Sequence, residues 1–222
     1  MSSAIDPNLE LIRTFLPKYL TPELTESLFK VVREDFPSSS DPSKVYIELD
    51  DSTSFYQGDN INDIPFSFFE ESKGTFKTVY FKGVIMSNTC DISSANERLE
   101  SPYIQFAGTF LLNDYINILE QKKINRSRID SFLADLRLNK ISNLFYLPAK
   151  FKEDNEVFPE SFIRFDLNVS LNLNLFSNER YNKAYFPIGD RNFSFSNYGF
   201  YLFIIKLSIH YSRIREGVFR NH

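Results

Sequence analysis

The apolar positions of the chain change period along its length, and the changes mark out its elements. Residues 1–36 follow a helical spacing. Asp6-Pro7 sets an N-cap before a proline at the first helical position, and Thr21-Pro22-Glu23 repeats that signal. Leu24, Leu28, Val31 and Val32 then form one stripe. Pro37 and the run Ser38-Ser39-Ser40-Asp41-Pro42 break the helix and read as a linker. Residues 1–42 are therefore predicted to be a helical N-terminal appendage, joined to a main domain over 43–222.

From Val45 to about Thr109 the pattern is that of strands. Val45 to Leu49 is a short one, and Gly58-Asp59 is a turn before a strand over Ile61 to Phe69. Glu70 to Gly74 is a hairpin turn. Thr75 to Ser87 is rich in the residues that pleated sheets favour, with Gly83 marking a bulge or a close backbone approach. Tyr103 to Leu111 is a further strand. Helical spacing returns over 112–140, in Leu112, Tyr115, Ile116 and Leu119 and again in Ile129, Phe132, Leu133 and Leu136. This helical pair is an insertion between strands, because Ile141 to Pro148 and Ser161 to Phe176 return to strand character, with Val169, Leu171, Leu173 and Leu175 alternating with polar residues. Residues 178–191 read as a loop. Ser196-Asn197 caps a last helix, running to about Arg215, that is apolar nearly all round and so belongs in the interior or between partners. Strands grouped with segregated helices predict an α+β fold: a bent antiparallel sheet or SH3-like β-barrel over about 43–176.

Composition narrows the class. One cysteine, Cys90, cannot close an internal disulfide, which favours a reducing compartment and a cytoplasmic location. The start of the chain has no basic-then-apolar signal, and its most apolar stretch, Tyr198 to Ile209, is interrupted by Lys206 and too short to span a membrane. The 24 Phe and 12 Tyr fall mainly on positions read as inward, among them Phe66, Phe68, Phe81, Phe145, Phe165, Phe200 and Phe203. That leaves the loops around Phe193 and Phe195 as the aromatic positions of functional interest. The net charge of -4 hides an imbalance: residues 1–100 sum to about -8 and residues 101–222 to about +4. The positive half has two centres, Lys122, Lys123, Arg126, Arg128, Arg137 and Lys140 in the helical pair, and Lys206, Arg213, Arg215 and Arg220 near the C-terminus. Both are candidate contacts to nucleic acid, and each is also what a solvated helix face looks like.

One segment can carry chemistry. The apolar strand Gly83-Val84-Ile85-Met86 ends abruptly in Ser87-Asn88-Thr89-Cys90-Asp91. Polar side chains at the end of a core strand are held rigidly, as a site requires. Asp91 is a candidate base, Ser87 and Thr89 are candidate phosphate contacts, and Cys90 is a candidate reactive thiol. The competing reading is a turn in which Asn88 and Asp91 bond their own backbone and Cys90 is a small buried hydrophobe. Thiol or serine hydrolysis is poorly supplied with bases, since the two histidines are His210, within the last helix, and His222. No phosphate loop, dinucleotide fingerprint or zinc spacing is present, and neither metal nor cofactor is expected.

Tyr56-Gln57-Gly58-Asp59-Asn60-Ile61, Ile64-Pro65-Phe66 and Gly83-Val84-Ile85-Met86-Ser87 together resemble the start of the PemK/MazF-like toxin family. The likeness covers roughly residues 55–92. With Thr89-Cys90-Asp91 added, the pattern is similar to bacterial proteins of mobile-element and phage-defence loci. The resemblance implies a small SH3-like barrel that cleaves or binds RNA and pairs with a protein from the same locus. The family's Arg-Pro before the second strand is missing from Phe76 to Lys82, and its later Pro-Ile-Thr motif is missing too. The expectation is therefore a bacterial accessory or binding protein of a toxin–antitoxin or phage-defence system, with a degenerate barrel that binds a protein partner, RNA or DNA. The alternative is a metal-independent endoribonuclease with Ser87, Thr89, Asp91 and Arg98 in its site.

Overall fold

The computed structural model describes residues 41–49, 55–92, 99–152, 154–172 and 191–212. Residues 1–40 of the expected N-terminal appendage, Arg98, and Arg213, Arg215 and Arg220 lie outside the described residues.

The fold is α+β. The chain runs α1 (Pro42–Val45), β1 (Tyr46–Ile47), β2 (Asn60–Glu70), β3 (Thr75–Ile85), α2 (Thr89–Ile92), β4 (Tyr103–Leu111), α3 (Leu112–Gln121), α4 (Arg126–Arg137), β5 (Leu144–Leu147), β6 (Lys150–Lys152), β7 (Asn155–Phe158), β8 (Ser161–Asn172), β9 (Arg191–Phe195) and α5 (Asn197–Ser212). Seven strands form one antiparallel sheet in the order β1-β9-β2-β3-β4-β8-β5, and β6 and β7 form a separate hairpin. Among the described residues the sheet ends on β1 and β5 and does not close, so the bent sheet is realised and the SH3-like barrel is not.

Two of its register shifts redirect its side chains. Ile61 pairs with Gly83 and Ile64 with Phe81, so β2 carries one extra residue, taken up where Asp63 adopts a positive φ of 55°. Gly83 is needed there for close approach, because a Cβ would stand 2.8 Å from the Ile64 side chain. In β8 the register jumps between Asn168 opposite Ala107 and Arg164 opposite Gly108. The jump reverses the parity of the strand. Ile163 and Phe165 point to one face, whereas Val169 and Leu171 point to the other.

Each face therefore has its own core. On one, α5 covers Val84, Ala107, Phe145, Phe165, Phe193 and Phe195. On the other, Ile64, Phe66, Ile85, Ile104 and Phe106 pack together, and α3 and α4 continue the layer over Leu144, Tyr146 and Phe162. All four residues of β5 are buried, because the strand is sandwiched between α5 and the helical pair.

Local chemistry explains the helix ends. Ser196 caps α5: its Oγ accepts from the Gly199 N–H at 3.0 Å, and its own N–H donates to the Val45 carbonyl at 2.9 Å. Asp41 caps α1 in the same way, accepting from Ser43, so the end of the expected linker is a helical turn. Asn125 caps α4 through Ser127. Both α3 and α4 stop in a left-handed residue, Lys123 and Asn139, with the following N–H groups returning to Leu119 and Asp135.

Several expectations are corrected. Residues 191–195 form a central strand, not a loop, and Phe193 and Phe195 are buried in the core. Phe68, read as inward, is exposed. The hairpin β6–β7 has no counterpart in the apolar pattern. The last helix is buried over Tyr198 to Lys206, but Ile209 and Tyr211 emerge into solvent. Lys206, counted among the basic surface residues, is interior.

At the α5–α1 junction the helix backbone runs close against α1. A Cβ on Gly199 would stand 2.2 Å from the Val45 carbonyl oxygen. Gly199→Ala is expected to lower stability by about 3 kcal/mol or more, despite the gain in helix propensity, as read by chemical denaturation.

Candidate functional site

The segments that carry the family resemblance come together in space. Tyr56 to Asp59 is a turn closed by the Asp59 N–H on the Tyr56 carbonyl at 3.0 Å, with Gly58 at φ 95°, as a type II turn demands of its third residue. The turn lies against the end of β3. Gly58 donates to the Ile85 carbonyl at 2.8 Å, Ile85 donates to the Asp59 carbonyl at 2.9 Å, and the Gln57 amide donates to the Met86 carbonyl at 2.7 Å.

The polar residues after β3 serve that junction. Thr89 Oγ1 accepts the Gln57 N–H at 2.9 Å, and Ser87 Oγ accepts the Gln105 N–H at 2.8 Å. Among the described residues neither hydroxyl is hydrogen-bonded to a carboxylate or an imidazole. Asn88 Oδ1 accepts the Cys90 N–H at 2.8 Å, and its carbonyl accepts the Asp91 N–H at 2.9 Å. The segment is thus an Asx turn opening α2. Asp91 is exposed, and so is Cys90, which corrects its reading as a buried hydrophobe. His210 packs its ring on Phe165 at 5.7 Å.

The buried charge is elsewhere, in Asp59. Its side chain is 1% exposed and that of Arg191 6%, and they pair at 3.4 Å. Ser194 donates to Asp59 Oδ1 at 2.7 Å, and the Tyr56 N–H donates to Oδ2 at 3.0 Å. Burial pushes the Asp59 carboxyl up, while Ser194, the Tyr56 amide and Arg191 pull it back. Beside it, Asn192 donates to both Asn60 and Asn62, and Asn60 donates to Thr109. Each oxygen of the Asp59 carboxylate is matched to a donor from the fold itself, so the network ties the turn before β2 to β9. The signal for it was the Gly58-Asp59 turn; the partners, more than a hundred residues away, left none.

Half of the first basic centre is paired internally. Arg126 pairs with Glu120 at 2.8 Å and Asp130 at 3.1 Å, Arg137 forks onto Glu160, and Lys140 lies 3.8 Å from Asp135. Lys122 and Lys123 form the helix stop of α3, and Arg128 is exposed on α4. Arg137 and Glu160 also hold the Tyr146 hydroxyl. Burial and the neighbouring Glu160 push that phenol well above its ordinary range.

Two features escaped the apolar pattern. Among the described residues, 64–81 of β2 and β3 pair only with each other, because β9 reaches only Asn60 and Ile61 and β4 reaches only Lys82 to Ile85. The hairpin therefore projects from the sheet as a two-stranded ribbon. Its distal half is exposed on both faces and carries Phe68, Phe69 and Phe76, with Phe76 77% exposed, and Tyr80 nearer the base is 65% exposed. The second feature is a cavity of about 250 Å³ between α5 and the end of α4, with Lys206 in its wall.

Among the described residues no cluster of His, Cys, Asp or Glu could hold a metal ion, and no helix is long and apolar enough to cross a membrane. Comparisons with protein-family models, with curated proteins and with solved structures give no match.

Asp59 and Lys123 yield two expectations. Asp59→Ala leaves Arg191 buried without its carboxylate and is expected to cost about 3–5 kcal/mol, whereas Asp59→Leu with Arg191→Met costs less than Asp59→Ala alone. A double-mutant cycle on urea midpoints reads both. Lys123→Gly relieves a left-handed residue and is expected to stabilise by about 0.5–1 kcal/mol, measured by the same denaturation.

Proposed function

We propose that this protein is a bacterial binding protein, an accessory component of a toxin–antitoxin or phage-defence system in the cytoplasm, and that it grips a protein partner with the β2–β3 ribbon. The observation that carries the reading is the exposure of aromatic rings along a ribbon that pairs with nothing else among the described residues. Phe69 and Phe76 sit opposite each other as an edge-to-face pair, ring centres 5.5 Å apart. Tyr80 stands on the same face, four cross-strand pairs nearer the body, separated from them by the hydroxyl pair Ser67–Thr78 at 2.8 Å. Strand pairing puts Phe68 and Lys77 on the opposite face. Rings of this kind dominate binding energy once desolvated, and they contribute little to the fold while exposed.

The ribbon is anchored well enough to present them. At its base Phe66 meets Phe81 at 5.6 Å and Phe81 meets Phe110 at 5.1 Å, tying both strands to the core. Charge favours a protein over a nucleic acid. The ribbon tip mixes Glu70 and Glu71 with Lys73, and the basic residues of the helical pair are in good part matched to carboxylates. The family resemblance of residues 55–92 supplies the toxin–antitoxin or phage-defence setting. The nuclease alternative has no comparable observation behind it, since Ser87 and Thr89 are occupied by backbone amides.

The test is affinity for the products of the neighbouring genes, measured by calorimetry with purified full-length chains. The triple substitution Phe69→Ser, Phe76→Ser and Tyr80→Ser is expected to weaken a partner's binding at least a hundredfold while leaving the melting temperature within a few degrees. Unchanged affinity would remove the ribbon from the interface. Tight RNA or DNA binding in a gel shift, with no protein bound, would replace the partner class.

A further inference from the structure

The cavity between α5 and α4 has the makings of a ligand site that is independent of the ribbon. Its wall contains Phe145, Leu202 and Ile209 from the apolar side and Lys206, Asn139 and Lys140 from the polar side. Lys206 is only 6% exposed. Its ammonium donates to the Asn139 carbonyl, where α4 ends and the negative pole of the helix lies. Among the described residues no carboxylate comes within ion-pair distance of it. This sets it apart from Arg137, Arg126 and Arg191, each of which has its acid.

A buried ammonium with no counter-ion is held against the cost of its desolvation. The strain shows in its basicity: burial pushes the Lys206 amine down to about 8. One backbone carbonyl takes one of its three donors. An anion arriving through the cavity would restore the missing charge, and the apolar wall would cover whatever that anion carries behind it.

We propose that this cavity binds a small monocarboxylate with a short apolar body, the carboxylate pairing with Lys206 and the body lying against Phe145, Leu202 and Ile209. The volume sets the scale. About 250 Å³ suits a chain of several carbons or a single ring and falls below what drug-sized ligands fill. A phosphate or a polyanion fits less well, because Lys140, the other cation of the wall, is already near Asp135. Asn139 is fixed in place for the task. It is buried in the left-handed conformation that ends α4, and its side-chain oxygen accepts the Tyr146 N–H at 2.9 Å, so the carbonyl that orients Lys206 cannot swing away.

Hexanoate, hexanol and hexylamine are the probes, titrated into the full chain and followed by NMR and by calorimetry. Saturable hexanoate binding is expected, with hexanol at least tenfold weaker and hexylamine not bound. Lys206→Met keeps the shape and removes the charge. It is expected to fold, since apolar replacement of a buried uncompensated charge is neutral or stabilising, and to lose hexanoate at least tenfold. Ile209→Phe leaves the ammonium intact and narrows the cavity, and is expected to weaken hexanoate similarly; it decides the matter should Lys206→Met not fold. No saturable binding of hexanoate, equal binding of hexanol, or an unchanged affinity in the folded variants would each overturn the site and leave Lys206 as a clip between α5 and α4.

Discussion

The arrangement depends on one buried carboxylate. Asp59 stands where the turn before β2, the end of β3 and the strand β9 converge, and it bonds to the Tyr56 amide, Ser194 and Arg191 together. Through Arg191 and Ser194 it fixes β9 between β1 and β2. The position of β9 in turn fixes the last helix. Ser196 caps α5 on the Val45 carbonyl, and α5 is laid across the sheet with Gly199 against α1. A charge pair in a core is a weak source of net stability, but its loss is costly, and its geometry tolerates one register. That constraint sets the placement of α5, and with it the Lys206 cavity.

The two halves of the molecule use aromatic residues in opposite ways. In the body, Tyr46, Phe145, Phe158, Phe193, Phe195 and Phe203 form a continuous set of edge and tilted contacts with ring centres 4.9–6.3 Å apart. These rings are buried together in the core on the face that α5 covers. Along the ribbon, similar rings are turned outward where, among the described residues, no third strand or helix reaches them. A two-stranded ribbon is marginally stable alone. Here the core at its base and the cross-strand pairs along it hold the exposed rings in fixed register, and this favours recognition over collapse.

The segment after β3 shows how polar residues at the end of a core strand can imitate a site. Ser87, Asn88 and Thr89 present oxygens in a row, yet each is spent on a backbone amide that the abrupt end of the strand would leave unpaired. The positive half of the chain is similar. Arg126, Arg137 and Lys140 look like a basic patch when counted in order, but Glu120, Asp130, Glu160 and Asp135 are folded back against them.

The sequence by itself determined the kinds of element and their order. The β2–β3 hairpin with its turn at Glu70–Gly74, strand β4, the helical pair and the start of α5 at Ser196 are all written in local period and capping chemistry, which act over a few residues. The strand over 191–195 and the hairpin β6–β7 were not legible, because each is short and owes its form to neighbours far along the chain. Only the tertiary structure decided which faces are inside. Asp59 meets Arg191 across 132 residues, and Lys206 meets Asn139 across 67. The bulge in β8 reverses which of its residues face α5. Whether a ring is core or contact surface depends on whether a third strand arrives beside it, a matter of distant pairing that no local pattern of polar and apolar positions records.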